Sequence, residues 1–264
     1  MTESPPAIDE RHAAQARFFY EAQRDGADIQ RRLARARILI LGAGALGSHL
    51  VEGLAHAGVG EMRIHDPAGA PRAHALCAEA AARYPHLGFR AGPDDPEDFA
   101  GAIGEVDCAV VCADSPIPLL AEAVNEAALR AEKRWLLGRV DRGIGLIGPT
   151  VIPRESACYE CFLLRRAVNL ADADERQPHP GAPPGRGEGL AAPRALAAAI
   201  GSLLALEVLR LLSGAAPPQT VNRVLRLSFF AAQATYHRIL RFPGCPACGF
   251  GARRPPWEAQ GACG

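Results

Sequence analysis

Three groups of residues have types and spacings that can do chemistry. Gly42, Gly44 and Gly47 form Gly-x-Gly-x-x-Gly directly after the apolar run "RILIL". In such a loop the first glycine turns the chain, the second lets backbone approach a phosphate, and the third lets a helix pack on a strand. The helix that follows offers unpaired N–H groups and a partial positive charge. Asp66 lies at the end of the next apolar run, about 20 residues on, where a carboxylate can bond ribose hydroxyls. Asp114 ends "DCAVVCAD", a run apolar throughout apart from its two ends. By position alone it reads as the N-cap of the helix that begins after "SPIP". The third group is sulfur. Cys158-x-x-Cys161 and Cys245-x-x-Cys248 supply four soft thiolates, a donor set that suits tetrahedral zinc. Two local reactive dithiols are the alternative. A closed Cys₄ site leaves no open coordination position, so its zinc would be structural.

The elements that must position these groups alternate along the chain. Residues 1–36 read as a polar helical arm, with Ile29 and Leu33 four apart on one face. "RILIL", "EMRIHD", "DCAVVCAD" and "RWLLGRV" read as four strands. The segments "SHLVEGLAHAG", "RAHALCAEAAARYP" and "PLLAEAVNEAALRAEK" between them read as helices, the first stopped by Gly58. This order predicts an α/β, Rossmann-like, doubly wound and mostly parallel sheet. From Gly143 the pattern changes to further strands, a helix opening at Cys158, a long helix over 194–212 closed by Gly214, and two short strands before the second cysteine pair. These form an appended C-terminal strand region with the Cys₄ zinc knuckle. Residues 37–250 are expected to be one nucleotide-binding domain and 251–264 a flexible tail. The Pro- and Gly-rich stretch 169–193 is either a mobile crossover lid or a plain linker.

Composition excludes little but helps. The 264 residues carry 29 basic and 29 acidic side chains, so nothing advertises nucleic acid or an anionic membrane. No signal peptide is legible at the start. The longest apolar run, from Leu196 to Leu206, is shorter than the roughly 20 residues a bilayer requires. A cytoplasmic location is the expectation. Cys77, Cys108, Cys112 and Cys263 read as ordinary buried or tail residues. Spacing alone favours NAD at the glycine loop, and a tight turn without any ligand is the competing reading. No hydride-transfer constellation is visible.

The order of "RILILGAGALGSHLVEGLAHAGVGEMRIHD", "VVCADSP", "GPTVIP", "CYEC", "IGSLLALEVLRLLSG" and "FPGCPACG" resembles the ThiF/MoeB/HesA family, bacterial relatives of the ubiquitin-activating enzymes. The resemblance runs over about residues 10–250. "VVCADSP" and "GPTVIPRESACYEC" look most like the branch that serves ribosomal peptide natural products, which includes the microcin C7 adenylyltransferase and partner proteins of azoline-forming cyclodehydratases. What the resemblance implies is ATP with magnesium instead of NAD. It implies adenylation of the C-terminal carboxylate of a peptide or small carrier protein, with release of pyrophosphate, by a homodimer. Gly42, Gly44, Ala45 and Gly47 would meet the phosphates and Asp66 the ribose. Asp114 would hold magnesium, and Arg72 would replace a family lysine beside the phosphates, making Asp114 and Arg72 the catalytic pair.

The chain departs from the family pattern at several positions. Ala68 stands where a second aspartate is usual, and the Ser-Asn-Leu-x-Arg-Gln element is missing after it. Ala14 stands in "RHAAQ" where a family arginine reaches the partner subunit's nucleotide, although Arg11 and Gln15 remain. Arg139 and Arg142 are candidate substitutes, or surface residues. No cysteine lies in 169–193, so no loop thioester is expected. Some relatives in the peptide branch carry an N-terminal winged-helix module. About 36 residues precede the first strand here, too few for one. The alternative function is a scaffold that keeps the fold but has lost turnover. An NAD-dependent oxidoreductase is a more remote third.

Overall fold

The computed structural model describes residues 10–22, 24–92, 99–114, 118–141, 143–169 and 193–249. The 251–264 tail lies outside the described residues, as does the 169–193 stretch apart from its two ends. Eight strands form one sheet: β1 (Arg37–Leu41), β2 (Glu61–His65), β3 (Gly88–Ala91), β4 (Cys108–Ala113), β5 (Arg134–Asp141), β6 (Ile144–Val151), β7 (Arg223–Ser228) and β8 (Gln233–Arg238). Their spatial order is β3-β2-β1-β4-β5-β6-β7-β8. The first five run parallel, and β6, β7 and β8 extend the sheet as an antiparallel ribbon. The expected doubly wound sheet with appended strands is therefore present. β1 and β4 are apolar on both faces because helices cover both sides.

Eight α-helices are described, after a 3₁₀ turn at Glu10–His12: α1 (Ala13–Glu21), α2 (Gly26–Arg35), α3 (Ala45–His56), α4 (Ala70–Arg83), α5 (Phe99–Glu105), α6 (Pro118–Arg130), α7 (Tyr159–Asn169) and α8 (Arg194–Ser213). One face of the sheet packs against α2, α3, α4 and α8, burying Ile38, Ile40, Leu50, Leu54, Leu204 and Val208. The other packs against α5, α6 and α7, burying Leu39, Leu41, Ile103, Val124 and Trp135.

Three differences from the sequence reading have simple causes. β3 went unread because "GFRA" is four residues long and none of them is fully buried, so it has neither an apolar run nor a clean alternation. α3 starts at Ala45, before the predicted Ser48, which places Gly47 inside its first turn. And α8 is longer than the apolar run counted above. At 20 residues it is long and apolar enough to cross a membrane by length and composition. Here its apolar face is spent on α3 and the sheet, with Leu196, Ile200, Leu204 and Val208 buried. Gly201 allows that approach, since a Cβ there would lie 2.7 Å from the His49 Cβ. α8 thus braces the helix whose first turn opens the glycine loop.

Candidate functional site

The parallel strands end together at one edge, where ligands of open α/β sheets bind. Gly42 follows β1 at φ +121°, and a Cβ there would lie 2.0 Å from the Cys112 carbonyl oxygen. Only glycine fits that turn. A Cβ on Gly44 would lie 1.9 Å from Asp114 Oδ2, so the second glycine is the floor on which the carboxylate of Asp114 rests. Gly47 lies against the Gly42 carbonyl, joining helix to loop. Ala45 is the first residue of α3.

Both predicted acids reach this loop. Asp66, 6% exposed, accepts the Ala43 N–H at 3.0 Å through Oδ2 and the Ala68 N–H at 2.8 Å through Oδ1. Asp114, half-buried just beyond β4, accepts the Leu46 N–H at 3.1 Å through Oδ1. Asp114 therefore caps α3, far from it in sequence, and not only the helix after it that the sequence offered as the capped one. An anionic oxygen is stabilised by the unpaired amides and dipole of a helix N-terminus. The two carboxylates bracket the amides that a phosphate would use, and each oxygen retains lone pairs for a hydroxyl or a cation.

The basic residues are less convergent. Arg72 sits in the first turn of α4, exposed, and its guanidinium has no hydrogen-bond or ion-pair partner among the described residues. Arg139 is half-buried on β5 between Ala113 of β4 and Leu146 of β6. Arg142 lies outside the described residues. Ala14 is exposed on α1, while Gln15 donates to Gln30 and to the Ala57 carbonyl, tying α1 to the end of α3. At the opposite edge of the parallel strands, a cleft of about 510 Å³ is lined by Arg32, Arg35, Lys133 and Arg134. Arg32 and Arg134 there donate to the Ser213 and Leu211 carbonyls, so they finish α8.

The four cysteines of the two knuckles come together. Cys158 Sγ lies 3.7 Å from Cys245 Sγ and 4.0 Å from Cys161 Sγ, and Cys161 Sγ lies 3.5 Å from Cys248 Sγ. All four lie within 4.8 Å of one another. A tetrahedron with Zn–S bonds of about 2.3 Å has sulfurs about 3.8 Å apart, so the donor set fits zinc. Cross-pairing between the knuckles argues against two independent dithiols. Burial pushes the Cys245 thiol up to about 11 and raises Cys158 further. Burial opposes ionisation of Cys161 as well, but the Phe242 N–H at 3.4 Å and its thiol neighbours hold it below its ordinary value. Three supporting residues went unread from sequence. Asn222 accepts the Ala157 N–H at 2.7 Å, and Asn125 accepts the Tyr159 N–H at 3.1 Å. Arg241 donates to the Arg154 and Cys248 carbonyls, both at 2.7 Å, clamping one knuckle region to the other. Such outer contacts hold ligands in place; single polar residues in loops carry no sequence signature of that role.

The chain belongs to the ThiF family, which matches residues 12–70 and 67–247. It is 26% identical over 251 residues to the protein HesA of Leptolyngbya boryana, covering 88% of this chain and 82% of HesA. It is 27% identical over 251 residues to the sulfur carrier protein adenylyltransferase of Thermus thermophilus, covering 85% of this chain and 86% of that protein. Its fold matches a crystal structure of E. coli MccB with ATP at a TM-score of 0.74 and 19% identity, over 92% of this chain and 75% of that one.

Proposed function

We propose that this chain is an ATP-dependent adenylyltransferase that activates the C-terminal carboxylate of a peptide or small carrier protein. The observation that carries this reading is the pair Asp66 and Asp114 on the amides of Ala43 and Leu46, at the strand edge where β1 opens into α3. Family membership supports it, since relatives that align over most of this chain are named as adenylyltransferases.

The chemistry is a displacement at phosphorus. A carboxylate oxygen of the acceptor attacks the α-phosphorus of ATP, the bond to the β-phosphate oxygen breaks, and pyrophosphate leaves. The protein must hold nucleophile and phosphorus in line and offset the triphosphate charge. The loop at Gly42, Gly44, Ala45 and Gly47 would supply backbone dipoles to the phosphates. Asp66 would hold the ribose and Asp114 magnesium, a hard cation that favours such oxygen ligands. Arg72, whose guanidinium has no partner among the described residues, would be available to the phosphates. Zinc at Cys158, Cys161, Cys245 and Cys248 would brace the C-terminal strands and take no part in the chemistry. With no cysteine in 169–193, the product would be the acyl-adenylate, not a loop thioester. The family resemblance favours a homodimer and a substrate from ribosomal peptide biosynthesis.

A second reading, a scaffold without turnover, is favoured by Ala14 and by the missing Arg-Gln element. ATP–pyrophosphate exchange with magnesium separates the two. Isotope exchange that depends on a peptide or carrier ending in a free carboxylate supports the enzyme. Tight binding of the same carrier without exchange supports the scaffold.

A further inference from the structure

At the edge of the sheet away from the glycine loop, the end of α2 and the entry to β5 line a cleft of about 510 Å³. Small-ligand sites are of this size, about 300–1,000 Å³. Four of its lining residues are cations, Arg32, Arg35, Lys133 and Arg134, against two acids, Asp107 and Glu132. A concavity lined mostly by one sign of charge focuses the field and gathers counter-ions.

Partners divide these groups into anchored posts and free cations. Arg32 pairs with Asp28 at 2.6 Å and donates to the Ser213 carbonyl at 3.3 Å. Arg134 donates to the Leu211 carbonyl at 3.2 Å. The two arginines cover the last carbonyls of α8, which would otherwise turn the negative end of a helix dipole toward the cleft. Glu132 is committed to Arg154. Asp107 accepts the Arg37 backbone N–H at 2.8 Å through Oδ2. The guanidinium of Arg35 and the Nζ of Lys133 have no partner among the described residues. The turn that presents Lys133 is fixed. Its N–H donates to the Ala128 carbonyl at 2.9 Å, across Glu132 at φ +55°, a helix end where glycine is the usual residue. Lys133 is half-buried and is the only lysine in the chain.

We propose that this cleft is an anion site, separate from the glycine loop, for a ligand with two linked phosphoryl groups held by Arg35, Lys133 and Arg134. With Arg32 offset by Asp28 and Glu132 by Arg154, these three cations face Asp107 alone, which leaves two positive charges to be matched. Guanidinium forks suit phosphoryl oxygens, and an ammonium adds a point charge. The cations come from two elements, Arg35 from α2 and the other two from the entry to β5. A diphosphate can meet both sets at once, where a single phosphate meets one. The site asks nothing of Asp66 or Asp114, so it goes beyond the adenylyltransferase reading and does not depend on it.

The single lysine supplies the probe. Reductive ¹³C-methylation of the full-length protein keeps the charge and gives one lysine methyl signal, which reports on this cleft. Titration with inorganic pyrophosphate should move that signal saturably at sub-millimolar concentration. Arg35→Gln should weaken the affinity about tenfold. Its melting temperature without ligand should match the wild type, because the guanidinium has no internal contact to lose. Citrate, with its charge on carboxylates, should bind at least tenfold more weakly. ADP, titrated in parallel, separates two sources of the same chemistry. Tighter binding than pyrophosphate assigns a nucleoside diphosphate, and equal or weaker binding a free diphosphate. A lysine signal that moves without saturating, or only as far as with sodium chloride at equal ionic strength, overturns the site. A saturable shift that Arg35→Gln leaves unchanged, or equal binding of citrate, also overturns it. ATP–pyrophosphate exchange is measured separately, so failure here leaves the adenylyltransferase reading standing.

Discussion

Asp114 Oδ1 accepts the Leu46 N–H at 3.1 Å, so the acid from the end of β4 sits on the first turn of the helix that follows the glycine loop. One side chain thereby has two tasks. It satisfies an amide that would otherwise be bare, and it stands where a metal-bound triphosphate must arrive. Removing it separates the tasks. Asp114→Ala is expected to lower stability by about 1 kcal/mol, the usual value of an anion at a helix N-terminus. It should reduce pyrophosphate exchange by about 100-fold or more. Denaturant unfolding and the exchange assay measure the two effects independently. A variant with full exchange activity removes Asp114 from the chemistry.

Gly44 depends on the same neighbour. A Cβ at Gly44 lies 1.9 Å from Asp114 Oδ2, so Gly44→Ala must push the carboxylate away. The backbone conformation at Gly44 has negative φ and suits alanine. The protein should therefore fold, with an unfolding midpoint within a few degrees of wild type, and lose nucleotide binding. Gly42→Ala meets the Cys112 carbonyl oxygen and a φ of +121°, and is expected to cost more than 2 kcal/mol. Circular dichroism melts of the two variants should fall in that order.

Glu207, 3% exposed on α8, accepts the Thr220 N–H and Oγ–H, both at 2.8 Å, and pairs with Arg210. Thr220 Oγ1 in turn lies 2.7 Å from Thr150 Oγ1 on β6. The network ties α8 to the antiparallel ribbon. Glu207→Ala leaves Thr220 bare and Arg210 uncompensated, and should destabilise by about 3 kcal/mol. Glu207→Gln keeps an acceptor and should recover about half. Urea denaturation of both variants checks the ratio.

Burial pushes the thiol of Cys77 up to about 11 and that of Cys108 up to about 12, against an ordinary value near 9. Both groups are held neutral in the fold, so the unfolded chain loses its protons first as pH rises. Their contribution is fully present below pH 9 and is lost progressively toward pH 11 and 12. Tm is expected to fall steadily above pH 9. In native protein at pH 8, Cys77, Cys108 and Cys112 should react slowly with a thiol-specific disulfide reagent and rapidly after unfolding.

The zinc knuckle predicts about one zinc per chain by elemental analysis. Thiolates bind the metal and protons compete for them, so apparent affinity should rise with pH. Cys158→Ser should release zinc and lower Tm by more than any single substitution at the glycine loop. A metal-free protein that unfolds at the same temperature as the purified form contradicts the site.

What the sequence made legible follows from where each signal resides. The glycine loop, Asp66 and the two cysteine pairs are set by local spacing, and each falls at its expected element. Asp114 was legible as a candidate, but its contact with Leu46 spans 68 residues of sequence, and no local pattern encodes it. β3 was too short and too exposed to leave a pattern. The antiparallel turn of β6 back along β5 was hidden because "GIGLIGPTVIP" has the same apolar character as a parallel strand. Asn125, Asn222 and Arg241 support the knuckles through backbone groups, which any polar residue in reach can do.

The central claim is that a nucleotide lies on the amides that open α3. The most direct measurement is the ¹⁵N amide spectrum of the protein during titration with MgATP. The account predicts saturable shifts at Ala43 and Leu46, with the Leu46 amide leaving Asp114, at sub-millimolar nucleotide. Unchanged Ala43 and Leu46 signals at several millimolar MgATP contradict it.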